Sequence, residues 1–503
     1  MNPTPRPTSP ITRAPIRFGV VAVALIAFLL CTASASAMEI SEFRLRGPSG
    51  PLDEFVELYN ESAQPVTVST ADGSEGWALA ASNGVARFVI PNGTVIPPHG
   101  HILGVNSGAY SLTGAAAGDL SYTADIPDNA GIALFRTANP ANFALANRLD
   151  AVGSSAEANA LYKEGSGYPA LTPFSIDYSF TRNPLSGTVP DTGNNAADFL
   201  FVDTNGTSAG AGQRLGTPGP ENSLSPILGF NTVAVSALDP SQPLSASPNF
   251  VRDFTSDPAH NSTFGTITIR RRLTNNSGVP LTRLALRVVD LTTFPSPAGV
   301  SDLRPRTSAD ATVGATTVRG TTLEQPPNQP NGGGFNSSMW VPAVTPVTPL
   351  QPGASIAIQV LMGIQQTGTY RFCAQIEATP IAGGTFANVG NTDAGSPGVA
   401  QCAPVPPPPV ELAASTSAPT EAQNVQQTVQ PPAETPPAQK CQVPNLKGKT
   451  LKAAKKLIKS KGCATGEVKK KHGVTAATGK IAGQSPAAGK SVDAGTKIKL
   501  TLD

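Results

Sequence analysis

Asp53-Glu54-Phe55-Val56-Glu57-Leu58-Tyr59-Asn60 (DEFVELYN, 53–60) decides the fold class of this 503-residue chain. A strand turns successive side chains to opposite faces, so Phe55, Glu57 and Tyr59 share one side while Val56 and Leu58 share the other. The same signature recurs outward from it. EISEFRL (39–45), RFVIP (87–91), HILGV (101–105), GIALF (131–135) and FLFVD (199–203) are short apolar or alternating runs between turn residues. TITIRRRL (266–273), RLALRVVDL (283–291), SIAIQVLM (355–362) and TYRFCAQIEA (369–378) continue the series. With 48 Gly, 49 Pro and no 3.6-residue periodicity before the tail, this pattern predicts a mainly β protein. Two blocks of β-sandwich size follow, 38–223 and 226–402.

The flanks differ from this body. Residues 1–37 have the pattern of a secretory signal peptide: Arg13 and Arg17, then the apolar run FGVVAVALIAFLL (18–30), then Ala35-Ser36-Ala37. Cleavage is expected between Ala37 and Met38. The apolar run is shorter than the roughly 20 residues of a spanning helix, and no later segment is apolar enough, so no transmembrane helix is expected in the mature chain. Export places the protein outside the cell or in the periplasm, where cysteines oxidise. Cys373, Cys402, Cys441 and Cys463 then allow three connectivities, and the Pro-rich stretch between the middle two favours Cys373–Cys402 and Cys441–Cys463. Residues 403–440 hold ten prolines and almost no large apolar side chain, which predicts a disordered linker biased toward extended polyproline II.

The tail is the chemical outlier. Residues 441–503 carry 14 lysines, no arginine and three acids, a formal +11, whereas the preceding 440 residues carry 22 basic groups against 31 acidic ones. A whole-chain charge of +2 therefore hides an acidic body and a strongly cationic tail.

Block 38–223 resembles the lamin-tail domain, an Ig-like module. The landmarks are EISEF (39–43), DEFVELYN (53–60), Gly76-Trp77-Ala78-Leu79, IPPHGHILGV (96–105), AGIALF (130–135), LDAVG (149–153) and the closing LGTPGPEN (215–222). The resemblance implies a binding or scaffolding module, with longer loops at 106–128 and 155–175 and Trp77 in the core. Block 226–402 resembles the Ig-like or fibronectin-like modules of bacterial surface proteins on strand pattern and length.

The tail resembles a PASTA domain. Val443-Pro444-Asn445-Leu446-Lys447-Gly448-Lys449-Thr450 matches the family's opening, and QSPAAGKSVDAGTKIKLTL (484–502) its Gln-Ser-Pro turn and closing strand. Local chemistry agrees: Thr450 suits a helix N-cap, and Leu451, Ala454, Leu457 and Ile458 form an apolar stripe. Lys452, Lys455, Lys456 and Lys459 cover the outer face, and with Lys469, Lys470 and Lys471 they are the expected contacts to wall or another polyanion. A small α+β fold and peptidoglycan recognition are what the resemblance implies.

Enzyme signatures are lacking. No Gly-x-Ser-x-Gly elbow, kinase set or penicillin-binding triad of motifs occurs. His99-Gly-His101 is the one histidine pair, with no partner carboxylate indicated, so no metal, cofactor or catalytic residue is expected. NQPNGGGFNSS (328–338) lacks the Gly-Lys-Ser/Thr of a phosphate cradle and reads as a surface loop, and Asp125, Asp128 and Asn129 read as a turn. The sequence thus predicts an exported, non-enzymatic, cell-wall-associated binding, adhesion or scaffold protein. Peptidoglycan or another anionic wall polymer is the expected partner of the tail, other surface proteins are those of the β domains, and no specific nucleic acid is expected. The alternatives are a freely secreted protein with a general polyanion-binding tail, and a metal-dependent hydrolase or its accessory.

Overall fold

The computed structural model describes residues 38–171, 175–182, 191–206, 213–228, 232–382, 399–400, 440–461, 463–470, 479–493 and 496–503. The expected signal peptide (1–37) lies outside them, as does the expected linker (403–440) apart from Lys440. The chain is mainly β and divides into two compact units, Met1–Ala414 and Ser415–Asp503.

The first unit opens with a sandwich. A seven-stranded sheet runs in the order Arg214–Leu215, Phe199–Asp203, Tyr178–Arg182, Met38–Arg44, Phe55–Asn60, His101–Asn106, Leu120–Tyr122. A four-stranded sheet, Arg148–Val152, Ile132–Phe135, Gly76–Ala81, Ala86–Pro91, shares its core. Val56 and Leu58 enter that core with Trp77, Leu79, Ile132 and Leu134, as the alternation in DEFVELYN requires. Trp77 is buried, its indole N–H donating to the Ser69 carbonyl at 2.7 Å. The pairing of Met38–Arg44 with Phe55–Asn60 shifts register between Ile40 and Glu42. This bulge at Ser41 lets Ile40 and Phe43 both reach the core, which strict alternation forbids. It also sets Glu42 directly opposite Glu57 on the other face of the sheet. The first expected loop, 106–128, instead contributes the edge strand Leu120–Tyr122, while its Leu112 and Ala116 cover Phe55; in the second, Ala160–Tyr162 forms a 3-10 turn and Tyr168 enters the main core.

A second sandwich follows in the same unit. One sheet runs Ile227–Leu228, Phe372–Pro380, Leu281–Leu291, Ser338–Trp340, Thr322–Leu323, and the other is built on Thr266–Asn275 and Ser355–Gln366. Leu284, Leu286, Val288, Ile358, Val360, Met362 and Ile376 fill the space between them.

All six residues of Phe55–Asn60 are buried, so the outer face of the first sandwich is covered as well. Two segments help to form the seam: the closing motif LGTPGPEN and the glycine-rich stretch 328–338. The latter is not the surface loop that its composition suggests. Phe335 N–H donates to the Leu215 carbonyl at 2.9 Å, and Thr217 N–H to the Phe335 carbonyl at 3.0 Å. A Cβ on Gly334 would lie 2.2 Å from the Leu215 carbonyl oxygen, and Gly332 holds φ +77°. Here glycines permit backbone-to-backbone contact.

The second unit holds the helix Leu451–Ser460 and the three-stranded sheet Ala464–Lys470, Lys497–Leu502, Ile481–Ser485. Its core gathers Val443, Leu446, Ala454, Ile458, Ile481, Ile498, Leu500 and Leu502. Ala454 and Ile458 come from the expected stripe, and Leu451 and Leu457 pack partly buried against it.

Candidate functional site

The seam between the sandwiches is made of buried charge. Glu42 accepts from Gly219 N–H at 2.9 Å and from the Asn336 amide at 3.0 Å. Glu57 accepts from the Ser41 hydroxyl and from Glu221 N–H, both at 2.6 Å. His101 lies between Glu57 (Nδ1 to Oε1, 3.1 Å) and Glu221 (Nε2 to Oε2, 3.4 Å). Arg287, from the second sandwich, reaches Glu221 at 2.9 Å and Glu377 at 2.7 Å. Four carboxylates thus meet two basic side chains away from water. Burial pushes Glu42 up to about 7, with Glu57 adding to it. Burial also pushes Glu221 up to about 8 against the pull of Arg287. His101 is pulled down by burial, but Glu221 and Glu57 outweigh this and raise it to about 9.

This arrangement missed the sequence reading. Glu57 was visible there as a carboxylate flanked by Phe55 and Tyr59 on one strand face, but nothing local said that this face is covered. The histidine pair does not act as a pair. His99 sits in a left-handed turn (φ 56°) and hydrogen-bonds the Tyr59 hydroxyl at 3.0 Å, while burial lowers it to about 4. Ligand atoms of Glu57, His101 and Glu221 lie within 4.8 Å of one another, a grouping that could hold a metal. Arg287 and backbone N–H groups already supply positive charge and donors to these same carboxylates, so the geometry reads as a charge lock between sandwiches. Asp128 of the turn at 125–129 is taken up by Arg46 at 2.7 Å.

Beside the lock lies a cleft of about 660 Å³. One wall is the segment from Thr217 to Pro226 with Gly114 and Ala115. The other is the outward face of the second sandwich. Strand register explains that face. The row Leu323, Met339, Leu286, Ile376 points into the core, and the neighbouring row Thr322, Trp340, Ala285, Glu377 points away from it.

In the second unit the two motifs of the tail are clamped by one side chain. Gln484 accepts from Leu446 N–H at 2.8 Å and donates to the Pro444 carbonyl at 2.9 Å. Gly448 N–H donates to the Ile481 carbonyl at 2.7 Å, and Ile481 N–H to the Lys449 carbonyl at 2.8 Å. Thr450 caps the helix, accepting from Ala453 N–H at 3.4 Å.

Residues 442–503 match the PASTA domain. PASTA domains bind peptidoglycan-related ligands and are typical of cell-wall or surface proteins. The lamin-tail resemblance of 38–223 has no family match behind it. Neither a curated protein nor a solved structure matches the chain. Within the PASTA domain, Lys452, Lys455 and Lys456 are exposed on the outer face of the helix, and Lys469 is exposed on the strand Ala464–Lys470. The side chains of Lys459 and Lys470, and the whole of Lys471, lie outside the described residues. Cys463 is buried in the PASTA core and Cys373 in the second sandwich, while Cys402 and the side chain of Cys441 lie outside the described residues. Among the described residues no helix is long and apolar enough to cross a membrane.

Proposed function

We propose that this chain is an exported, non-enzymatic binding or scaffold protein attached to the cell wall through its PASTA domain, which recognises peptidoglycan. The match at 442–503 carries this reading. We assign the two local disulfides Cys373–Cys402 and Cys441–Cys463, a pairing favoured by the Pro-rich stretch that separates Cys402 from Cys441 in sequence. The lamin-tail reading of 38–223 is supported by a sandwich whose core holds Trp77 and by its ordered motifs, and makes this block a display module for other surface proteins. The non-enzymatic reading is supported by the fate of the histidines: His101 is held between two carboxylates and His99 is bonded to Tyr59.

The exposed lysines of the PASTA helix favour a second reading, a freely secreted protein that sticks to polyanions in general. Salt separates the two, since charge attraction is screened beyond about 8 Å at physiological ionic strength. Cosedimentation of the full chain with purified peptidoglycan is expected to persist at about 0.5 M salt, where retention on heparin is lost. Equal loss from both supports would overturn wall recognition in favour of the second reading.

A further inference from the structure

Three residues that line the cleft in the first unit carry buried polar atoms that the protein leaves without partners. Glu377 is 2% exposed, and while its Oε1 takes Arg287, its Oε2 has no hydrogen-bond partner. Arg283 Nε and Thr379 Oγ1 are also buried and unpartnered. All three residues line the cleft, as does Trp340. Register brings them together: Arg283 pairs with Thr379, and Trp340 and Glu377 flank Ala285 in the outward row. An acceptor, a donor and a hydroxyl therefore stand beside a half-buried indole. A buried polar group without a partner is costly, so a ligand that supplies the missing partners binds where bulk apolar contact alone would not.

We propose that this cleft binds a short uncharged oligosaccharide. A sugar ring offers an apolar C–H face for the indole and hydroxyls that both donate, to Glu377, and accept, from Arg283. A phosphorylated ligand is disfavoured by Glu221, Glu324 and Glu377 in the lining, and a simple amine offers no acceptor to the Nε of Arg283, whose guanidinium is otherwise bonded to Glu324. The volume, about 660 Å³, lies inside the roughly 300–1,000 Å³ of small-molecule sites. Leu224, 82% exposed at the cleft, adds an apolar contact at its rim.

The chain has two tryptophans, Trp77 and Trp340, and none in the PASTA domain, so intrinsic fluorescence is blind to ligand held there. Trp77 is sealed in the core, which leaves Trp340 as the reporter. The full chain is titrated with cellotriose, chitotriose and maltotriose, and with a polyproline peptide as the contrasting probe. A saturable fluorescence change with at least one trisaccharide is expected. By calorimetry, Trp340→Ala and, with its conservative shape, Thr379→Val each weaken that binding at least tenfold. No saturable response to any of the three up to 20 mM overturns the proposal. So does a response to polyproline alone, or binding unaltered in both variants.

Discussion

Replacing Arg287 by methionine tests the charge lock most sharply. Arg287 is 12% exposed and spans Glu221 (2.9 Å), Glu377 (2.7 Å) and the Asn336 side chain (3.0 Å). Methionine keeps the stem but leaves Glu221 and Glu377 facing each other with His101 as the remaining basic partner. Removing one partner of a buried pair costs about 3–5 kcal/mol, because the other charge stays buried and uncompensated. Proton uptake relieves that cost, and Glu42 and Glu221 already lie near 7 and 8. The loss is therefore expected to be largest at pH 8 and smaller at pH 5. Equilibrium urea unfolding of the full chain at both pH values measures it. Arg371→Met is the control: its pair with Asp290 is 65% exposed on the arginine side, and such pairs contribute about 0–1 kcal/mol. A change below about 1 kcal/mol for Arg287→Met at pH 8, or a greater loss at pH 5, would refute the reasoning.

His101 gives a pH signature of its own. Its folded pKa is raised from 6.5 to about 9, so its contribution is full below 6.5 and disappears as pH rises through about 9. The difference in melting temperature between the native chain and His101→Gln should shrink from pH 6 to pH 9.5, and a constant difference would contradict it. Gly334→Val places a side chain against the Leu215 carbonyl and should cost at least about 1–3 kcal/mol, the range for overpacking, read by the same urea titration. An unchanged midpoint would mean that the seam yields. In the PASTA domain, Gln484→Ala should accelerate hydrogen exchange at the Leu446 amide by releasing its acceptor, and unaltered protection would show that the clamp is not holding.

How much of this was legible in the sequence depended on whether a signal was local. Strand alternation is local, so DEFVELYN correctly divided Val56 and Leu58 from Phe55, Glu57 and Tyr59. The PASTA helix was legible for the same reason: its cap, its stripe and its boundary lie within about one dozen residues. What covers a sheet's second face is not local. Glu42 and Glu57 look like solvated strand residues until Gly219, Glu221 and Asn336, all more than 160 residues later in sequence, are brought onto them. The stretch NQPNGGGFNSS misled for a related reason. Glycine serves a free loop and a tight backbone seam equally well, and only the partner segment at 215–217 distinguishes them. The cleft was invisible at the sequence level because its residues come from four strands and several connecting segments.

Attachment of this protein to peptidoglycan is proposed to rest on recognition by the PASTA domain, which charge strengthens but does not create. The full chain and a chain ending at Lys440 are cosedimented with purified peptidoglycan at about 0.15 M and about 0.5 M salt. The account predicts that the full chain stays bound at both and that the shortened chain is lost from the pellet at both. Equal binding of the two chains, or complete release of the full chain at the higher salt, would contradict it.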